Sequence, residues 1–354
     1  MAGTFRPAQP WRDSEPLELT MVIPEAPDVA SFCFRAPSGA YFDHVPGQFL
    51  TLELPVPGGT VHRTYTISSS PSRPLSLTIT VKAQEGSVGT RWMLDRLKPG
   101  MRIKAFGPGG DFTLPDEKPR RYLMISAGSG ITPMMAMTTW IWDSGHQPDI
   151  CFIHAARRPQ DLIFRQRLEH MASRTPGLKL HWVVKDDDDY RTWTGYRGRF
   201  NALMLGLMAP DYLEREVFCC GPESFMTSVR EMLASLGYDM ANYHQESFHA
   251  PVEEATDVPE DVVPSDDRMA EVEFSSSGVT ATCRETDTIL TVARASGLNI
   301  PSGCTFGVCG TCKVMKAEGE VVMVHSGGIS EEDVEEGYIL ACCSRPIGRV
   351  VVEV

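Results

Sequence analysis

The chain has 354 residues, enough for two or three domains with a core each, and its 42% hydrophobic and 22% charged residues are ordinary for a globular protein. Its start, MAGTFRPAQPW, lacks an apolar core of signal-peptide length, and no uncharged run is long enough to span a bilayer. These absences weigh against secretion and membrane insertion. They lead us to expect a cytoplasmic protein whose cysteines outside any metal site (33, 151, 219, 220, 283 and 343) remain thiols.

The net charge of −13 is unevenly spread. Residues 1–249 carry 26 basic and 27 acidic side chains, so twelve of the excess negative charges fall in the last third. That argues against nucleic acid as a partner and for either a basic protein surface or a merely solvated acidic face.

From Leu17 to Phe112 short apolar runs separated by Pro/Gly turns read as β, at 17–23, 29–35, 47–54, 61–67, 75–82 and 101–106. In Leu75–Lys82 apolar and polar residues alternate throughout. Six short strands with one helix, near Val88–Leu97, predict a small antiparallel barrel. Within it, Arg63-Thr64-Tyr65-Thr66 ends a strand. An arginine there suits a pyrophosphate, a tyrosine can pack on an isoalloxazine ring, and a hydroxyl can reach flavin N5, although strands often contain such residues. The turn Gly86-Ser87-Val88-Gly89-Thr90 opens the helix, where backbone N–H groups can hold phosphate.

After Pro119 the pattern changes to an apolar strand at 122–126, Gly128-Ser-Gly-Ile-Thr-Pro133 and a helix from about Thr132. Strands at 150–155, 179–184 and 216–220 alternate with helices near 160–172 and 222–236, which predicts a parallel sheet with crossover helices. Gly128, Gly130, Thr132 and Pro133 stand where a dinucleotide's pyrophosphate would meet a helix N-terminus, though Pro133 replaces the last glycine of the full fingerprint. Cys219-Cys220-Gly221-Pro222 occupies the matching position after the later strand. A tight strand-to-helix connection with no ligand would use the same residues. The strand ending at Val184 runs into Lys185 and four aspartates beginning with Asp186, which would repel a 2′-phosphate and accept from ribose hydroxyls. Arg157-Arg158 argues the other way, so NADH is expected over NADPH by the weight of the acidic run.

Residues 250–268 are rich in Pro, Asp and Glu and read as an extended linker. The last 86 residues hold a strand pair near 270–283, a helix at 288–296 capped by Asp287 and stopped by Gly297, and strands near 313–324, 338–341 and 349–354. Between them lies PSGCTFGVCGTC, in which Cys304, Cys309 and Cys312 form a C-x4-C-x2-C run, with Cys342 following after 29 intervening residues. This spacing suits a [2Fe–2S] cluster, whose irons need four converging thiolates in a loop flexible enough to wrap them. A zinc knuckle would more often show two close-spaced pairs.

R-x-Y-T, G-S-G-I-T-P and C-G-P-E-S-F-M, in this order, resemble the ferredoxin–NADP reductase superfamily. With the C-terminal ferredoxin module, the chain is similar to reductase components of Rieske-type oxygenases, especially those acting on glycine betaine, carnitine, stachydrine and related quaternary amines. The resemblance implies an FAD-binding antiparallel β-barrel (15–117), an α/β parallel-sheet nicotinamide domain (118–249), the linker and an α+β β-grasp ferredoxin domain (269–354). It implies FAD contacts from Arg63, Tyr65 and Thr66, from the backbone near Val81, and from Ser87, Val88, Gly89 and Thr90. Dinucleotide contacts would come from Gly128, Gly130, Thr132, Pro133, Asp186, Gly221 and Pro222. Thr66, Cys220 and Glu246 would work at the flavin and nicotinamide, with Phe248 closing over the flavin. Thr66 stands where serine is commoner, and Gly89 where serine is frequent. Cys342, rather than Cys343, fits the C-x-x-x-P pattern ending at Pro346. The implied activity is electron transfer from NADH through FAD and the cluster to a terminal oxygenase. A reductase for a hybrid-cluster or di-iron protein, one passing electrons to a quinone, and a redox sensor remain open alternatives.

Overall fold

The computed structural model describes residues 9–84, 86–115, 121–145, 149–187, 193–246, 264–265, 268–302, 307, 310–325 and 328–354. The predicted linker lies almost wholly outside the described residues, as do Cys304, Cys309, Phe248, Asp188 and Asp189. Two compact units are formed. The first holds an antiparallel sheet and a parallel one, and the second holds a mixed sheet.

The antiparallel sheet contains β1 (Leu17–Ala26), β2 (Val29–Arg35), β3 (Phe49–Val56), β4 (Gly59–Thr66), β5 (Leu77–Lys82) and, after α1 (Val88–Arg96), β6 (Arg102–Gly109). Its order is β4-β3-β6-β1-β2-β5. The antiparallel bridge Ile67–Ile79 and the Ser68 N–H donating to Thr78 O at 2.8 Å draw the two ends together, so the sheet curls into the expected barrel. Leu77, Ile79 and Val81 of β5 point into a core with Phe32, Phe34, Leu50 and Leu52, while Thr78, Thr80 and Lys82 alternate outward. β5 starts at Leu77, not Leu75, which is 66% exposed and outside the ladder.

The second sheet contains β7 (Arg121–Ala127), β8 (Asp149–Ala156), β9 (Leu178–Val184), β10 (Tyr196–Arg197), β11 (Glu216–Cys220) and β12 (Tyr243–Glu246). Its helices are α2 (Ile131–Asp143), α3 (Arg165–Ala172), α4 (Ala202–Met208) and α5 (Glu223–Ser235). The order β10-β9-β8-β7-β11-β12 is parallel throughout, and β7 and β11 flank the point where the winding reverses. β10, α4 and β12 are absent from the sequence expectation, because two to seven residues carry too little periodicity. α3 begins at Arg165 instead of near 160, after a 3-10 turn over Pro159–Asp161. As expected, α5 stops at Gly237, at φ 75°.

The second unit contains β13 (Met269–Phe274), β14 (Val279–Arg284), α6 (Ile289–Ala295), β15 (Lys313–Met323), α7 (Glu331–Glu335), β16 (Tyr338–Leu340) and β17 (Ser344–Val352), in the order β14-β13-β17-β15-β16. The cap of α6 is Thr288, whose Oγ1 accepts from Thr291 N. Asp287 instead accepts from Arg284 N in the preceding turn. β17 starts at Ser344 and not 349, because bulged pairing with β15 extends the ladder toward Cys343.

At the amino edge of the parallel sheet, buried Arg215 donates to Asp211 (2.8 Å), Asp149 Oδ1 (2.9 Å) and Tyr122 O (3.1 Å). It ties three strand ends together with every acceptor charge-assisted or on the backbone. Arg215→Ala should therefore destabilise the protein by about 1–3 kcal/mol, because the Tyr122 carbonyl loses its donor while the two part-exposed aspartates keep the exposed Arg121. A denaturation midpoint unchanged from the wild type would show the network to be dispensable.

Candidate functional site

The sheet's reversal point is lined by two glycine turns pressed together. A Cβ on Gly130 would stand 2.2 Å from Cys220 O and 2.6 Å from Gly221 N, so only glycine permits this approach. Gly128 takes φ 55°, beginning a 3-10 turn that leads directly into α2. Thr132 Oγ1 donates to Ser129 O (3.1 Å) and Pro133 lies buried in the first turn of α2. Opposite, Pro222 is the N-cap of α5. The two predicted motifs thus come together, with two helix N-termini at one crevice, where a pyrophosphate could be held.

Around this crevice the buried side chains are kept neutral. Cys220 pairs with Glu246 in the β11–β12 register, and burial, reinforced by that carboxylate, pushes its thiol well above the usual range. Burial raises the Glu246 carboxyl to about 8, and its Oε2 is buried without a hydrogen-bond partner. Behind them Ser126 Oγ lies 2.9 Å from Nδ1 of the fully buried His154, which burial and the Lys82 charge lower to about 3. Lys82 Nζ would stand 3.9 Å from a Cβ on Gly128, so the end of β5 reaches the same crevice. Ser126, His154 and Lys82 are missing from the sequence reading. One signal was available: a histidine inside the apolar run CFIHAA needs a partner when the strand is covered on both faces.

On the barrel, Thr66 is 4% exposed and its Oγ1 has no partner. Tyr65 is half-buried against the barrel core, while Arg63 is exposed. Val81 sends its side chain into the core, leaving only its backbone for a ligand. Ser87 caps α1 by accepting from Thr90 N (3.4 Å). Thr90 Oγ1 accepts from Gln84 N (3.2 Å), so that hydroxyl braces the loop; Gly89 is buried and Val88 is 52% exposed. Beyond β9, Asp186 Oδ2 accepts from Arg157 Nε (3.3 Å) and Asp187 pairs with Arg197. The acidic run and the opposing arginine therefore meet.

In the second unit, Cys342 Sγ accepts from Gly307 N (3.3 Å), and Cys312 Sγ accepts from Cys342 N (3.4 Å). Gly307 and Gly310 both have positive φ, and a Cβ on Gly310 would stand 2.9 Å from Gly328 O. Cys343 points its thiol at Leu340 O (3.7 Å).

Family models match three segments: an oxidoreductase FAD-binding domain over 16–114, an oxidoreductase NAD-binding domain over 124–231 and a 2Fe-2S iron-sulfur cluster binding domain over 272–346. The chain is 64% identical over 349 residues to the stachydrine N-demethylase reductase subunit Stc4 of Rhizobium meliloti (strain 1021), covering 99% of each. It belongs to the family of oxygenase reductase subunits. Its identity to the glycine betaine monooxygenase reductase subunit of Chromohalobacter salexigens is 46%, over 94% of this chain and 93% of that one. Phthalate dioxygenase reductase shares the fold, with a TM-score of 0.61 at 24% identity over 96% and 97% of the two chains. The reductase is an electron-transfer oxidoreductase with FAD, NAD and [2Fe–2S] as its cofactors.

The residues present fit these groups. The buried, unpartnered Thr66 hydroxyl and the crevice that side chains at Gly130 would fill suit a flavin and a dinucleotide. Sulfurs that already accept backbone N–H bonds suit thiolate ligands of a cluster. No helix among the described residues is long and apolar enough to cross a membrane.

Glu246 gives the site a pH signature. Its folded value of about 8 exceeds the ordinary 4.5, so its stabilising contribution is complete below 4.5 and lost as pH rises through 8. Glu246→Gln, which imitates the protonated acid, should abolish that loss. Thermal midpoints of the cofactor-free proteins should diverge in the variant's favour as pH rises across this range. A constant offset would mean that Glu246 titrates as an exposed carboxylate.

Proposed function

We propose that the reductase oxidises NADH and serves a Rieske-type terminal oxygenase that demethylates a quaternary amine in the cytoplasm. The observation carrying this reading is the 64% identity, over 99% of each chain, to a stachydrine N-demethylase reductase subunit. The divisions 15–117, 118–249 and 269–354 would then separate flavin, nicotinamide and cluster domains. Thiol-state cysteines such as buried Cys151 and Cys219 accord with a reducing compartment.

Bound FAD supplies the exchange between a two-electron hydride donor and one-electron steps, and the cluster carries those single electrons. The chain's own residues bind, orient and exclude. Gly128, Gly130, Thr132, Pro133, Gly221 and Pro222 bring two helix N-termini to the nucleotide phosphates. Cys220 and protonated Glu246 bound the nicotinamide position with neutral groups, which exclude water from it without a buried charge. Thr66 offers its unpartnered hydroxyl to the flavin edge, and Arg63, Tyr65, the Val81 backbone and the Ser87–Thr90 turn hold the remainder. Asp186 faces the adenosine ribose. It restrains Arg157 through their ion pair, which weakens that arginine's claim on a 2′-phosphate and supports NADH.

Mixing the purified reductase with a stachydrine- or glycine betaine-demethylating oxygenase should couple NADH consumption to formaldehyde release, with kcat/KM higher for NADH than for NADPH. Uncoupled NADH oxidation with every such oxygenase would overturn the partner assignment, and a preference for NADPH would overturn the role of Asp186.

Cys304, Cys309, Cys312 and Cys342 are the proposed ligands. Cys342→Ser should remove or distort the cluster's visible absorption while the flavin bands persist, and Cys343→Ser should leave both. The reverse pattern would assign the fourth ligand to Cys343.

A further inference from the structure

Oxidation of one NADH yields NAD⁺, two electrons and one proton. The electrons leave through the cluster one at a time, so the proton must leave the interior by another path. A continuous line of hydroxyls crosses the outer face of the barrel beside Thr66. Ser68 Oγ lies 2.9 Å from Thr80 Oγ1, Thr80 Oγ1 lies 2.8 Å from Ser31 Oγ, and Ser31 Oγ donates to Glu25 Oε1 at 2.6 Å. Ser31 and Ser68 are each 2% exposed and Thr80 is 6% exposed, while Glu25 at the far end is half-buried and so reaches water.

The donor directions follow from counting. Each hydroxyl has one proton to donate. Ser31 spends its proton on the Glu25 carboxylate, so the bond with Thr80 must be donated by Thr80. The Thr80–Ser68 bond must then be donated by Ser68, whose other acceptor, Thr78 O, is farther away at 3.2 Å. All three point toward Glu25. The Ile67–Ile79 bridge sets Thr66 across from Thr80 and two residues from Ser68 on the same face, with its buried hydroxyl unpartnered.

We propose that Ser68, Thr80 and Ser31 are a proton relay that carries the proton of NADH oxidation from the Thr66 end of the barrel to Glu25 and on to solvent. The inference rests on the reading above that the hydride acceptor lies at Thr66. Each hydroxyl passes its own proton forward and accepts one from behind, so the chain is regenerated once its hydroxyls rotate back. Besides Ser31, the group facing Glu25 is Arg167 of α3, with Arg73 and Asp143 in turn beside Arg167. Burial raises the Glu25 carboxyl, opposed by the Ser31 bond and by Arg167. It therefore holds a proton more readily than a surface carboxylate does.

The test uses the holoenzyme with ferricyanide as acceptor and a pH-indicator dye in weak buffer. In Ser31→Ala and Thr80→Val, flavin bleaching by NADH should stay close to wild type while proton appearance slows about a hundred-fold, the lower end for a lost proton-transfer group. Thr80→Ser, which keeps the hydroxyl, should release protons at the wild-type rate. In the cofactor-free protein, Ser31→Ala should move the Glu25 carboxyl titration, followed by infrared absorption, upward through loss of its hydrogen bond. Wild-type proton release in Ser31→Ala and Thr80→Val, or equal slowing in Thr80→Ser and Thr80→Val, would overturn the relay. Failure of NADH to bleach the wild-type flavin would instead overturn the proposed function.

Discussion

The reaction end of the first unit depends on one close approach, between the turn after β7 and the turn after β11. Where the winding of a parallel sheet reverses, the adjacent connections leave in opposite directions and open a crevice at the carboxyl edge. Its width is set by the atoms lining it. Gly130 lets Cys220 O approach to where a methyl group would stand at 2.2 Å, and so brings two helix N-termini to one crevice. Glycine costs up to about 1 kcal/mol in backbone entropy at such a position. Pro133 and Pro222 offset part of that by fixing φ at the helix starts.

Hydride transfer also requires the barrel and the parallel sheet to hold a fixed distance, since misplacement by an ångström can cost orders of magnitude in rate. An ion pair and an apolar seam are among the interactions that cross between them. The Arg73–Asp143 pair is bidentate, but Arg73 is half exposed, so solvent screening leaves it worth about 1 kcal/mol or less. The apolar seam is larger: Val29 of the barrel and Phe112 join the parallel sheet's core, with Phe112 edge-on to Phe218 at 5.6 Å. Burying such side chains contributes about 1.5–3 kcal/mol each. Packing therefore sets the distance, and the ion pair contributes orientation.

Local constraints were legible in the sequence wherever one short stretch carried the whole requirement. Cys304, Cys309 and Cys312 declare a thiolate loop by spacing, and Gly128–Pro133 and Cys220–Pro222 declare two strand-to-helix turns. That those turns touch was not legible, because the contact joins residues about ninety positions apart. The same holds for the hydroxyl chain, whose Ser31–Thr80 step spans 49 positions and depends on the β2–β5 register. His154 was hidden differently: as one polar residue in an apolar strand it reads as a lapse in pattern, and only its bond to Ser126 gives it a place. Asp287 and Thr288 are both good caps, and one residue of register decided between them.

The buried polar groups of the first unit share a chemical economy. His154 is neutral at any physiological pH, Cys220 stays a thiol and Glu246 stays protonated near neutrality, so the crevice holds donors and acceptors without buried charge. Burying an unpaired ion costs several kcal/mol even after relaxation, whereas a satisfied hydroxyl costs little. The same accounting explains why a proton path here would be built from serine and threonine. Ser68, Thr80 and Ser31 are uncharged before and after each transfer, and the one ionisable member, Glu25, stands where water and Arg167 can reach it. Charge is thus confined to the mouth of the path, and the interior that must stay dry for hydride transfer need not hold an ion between turnovers.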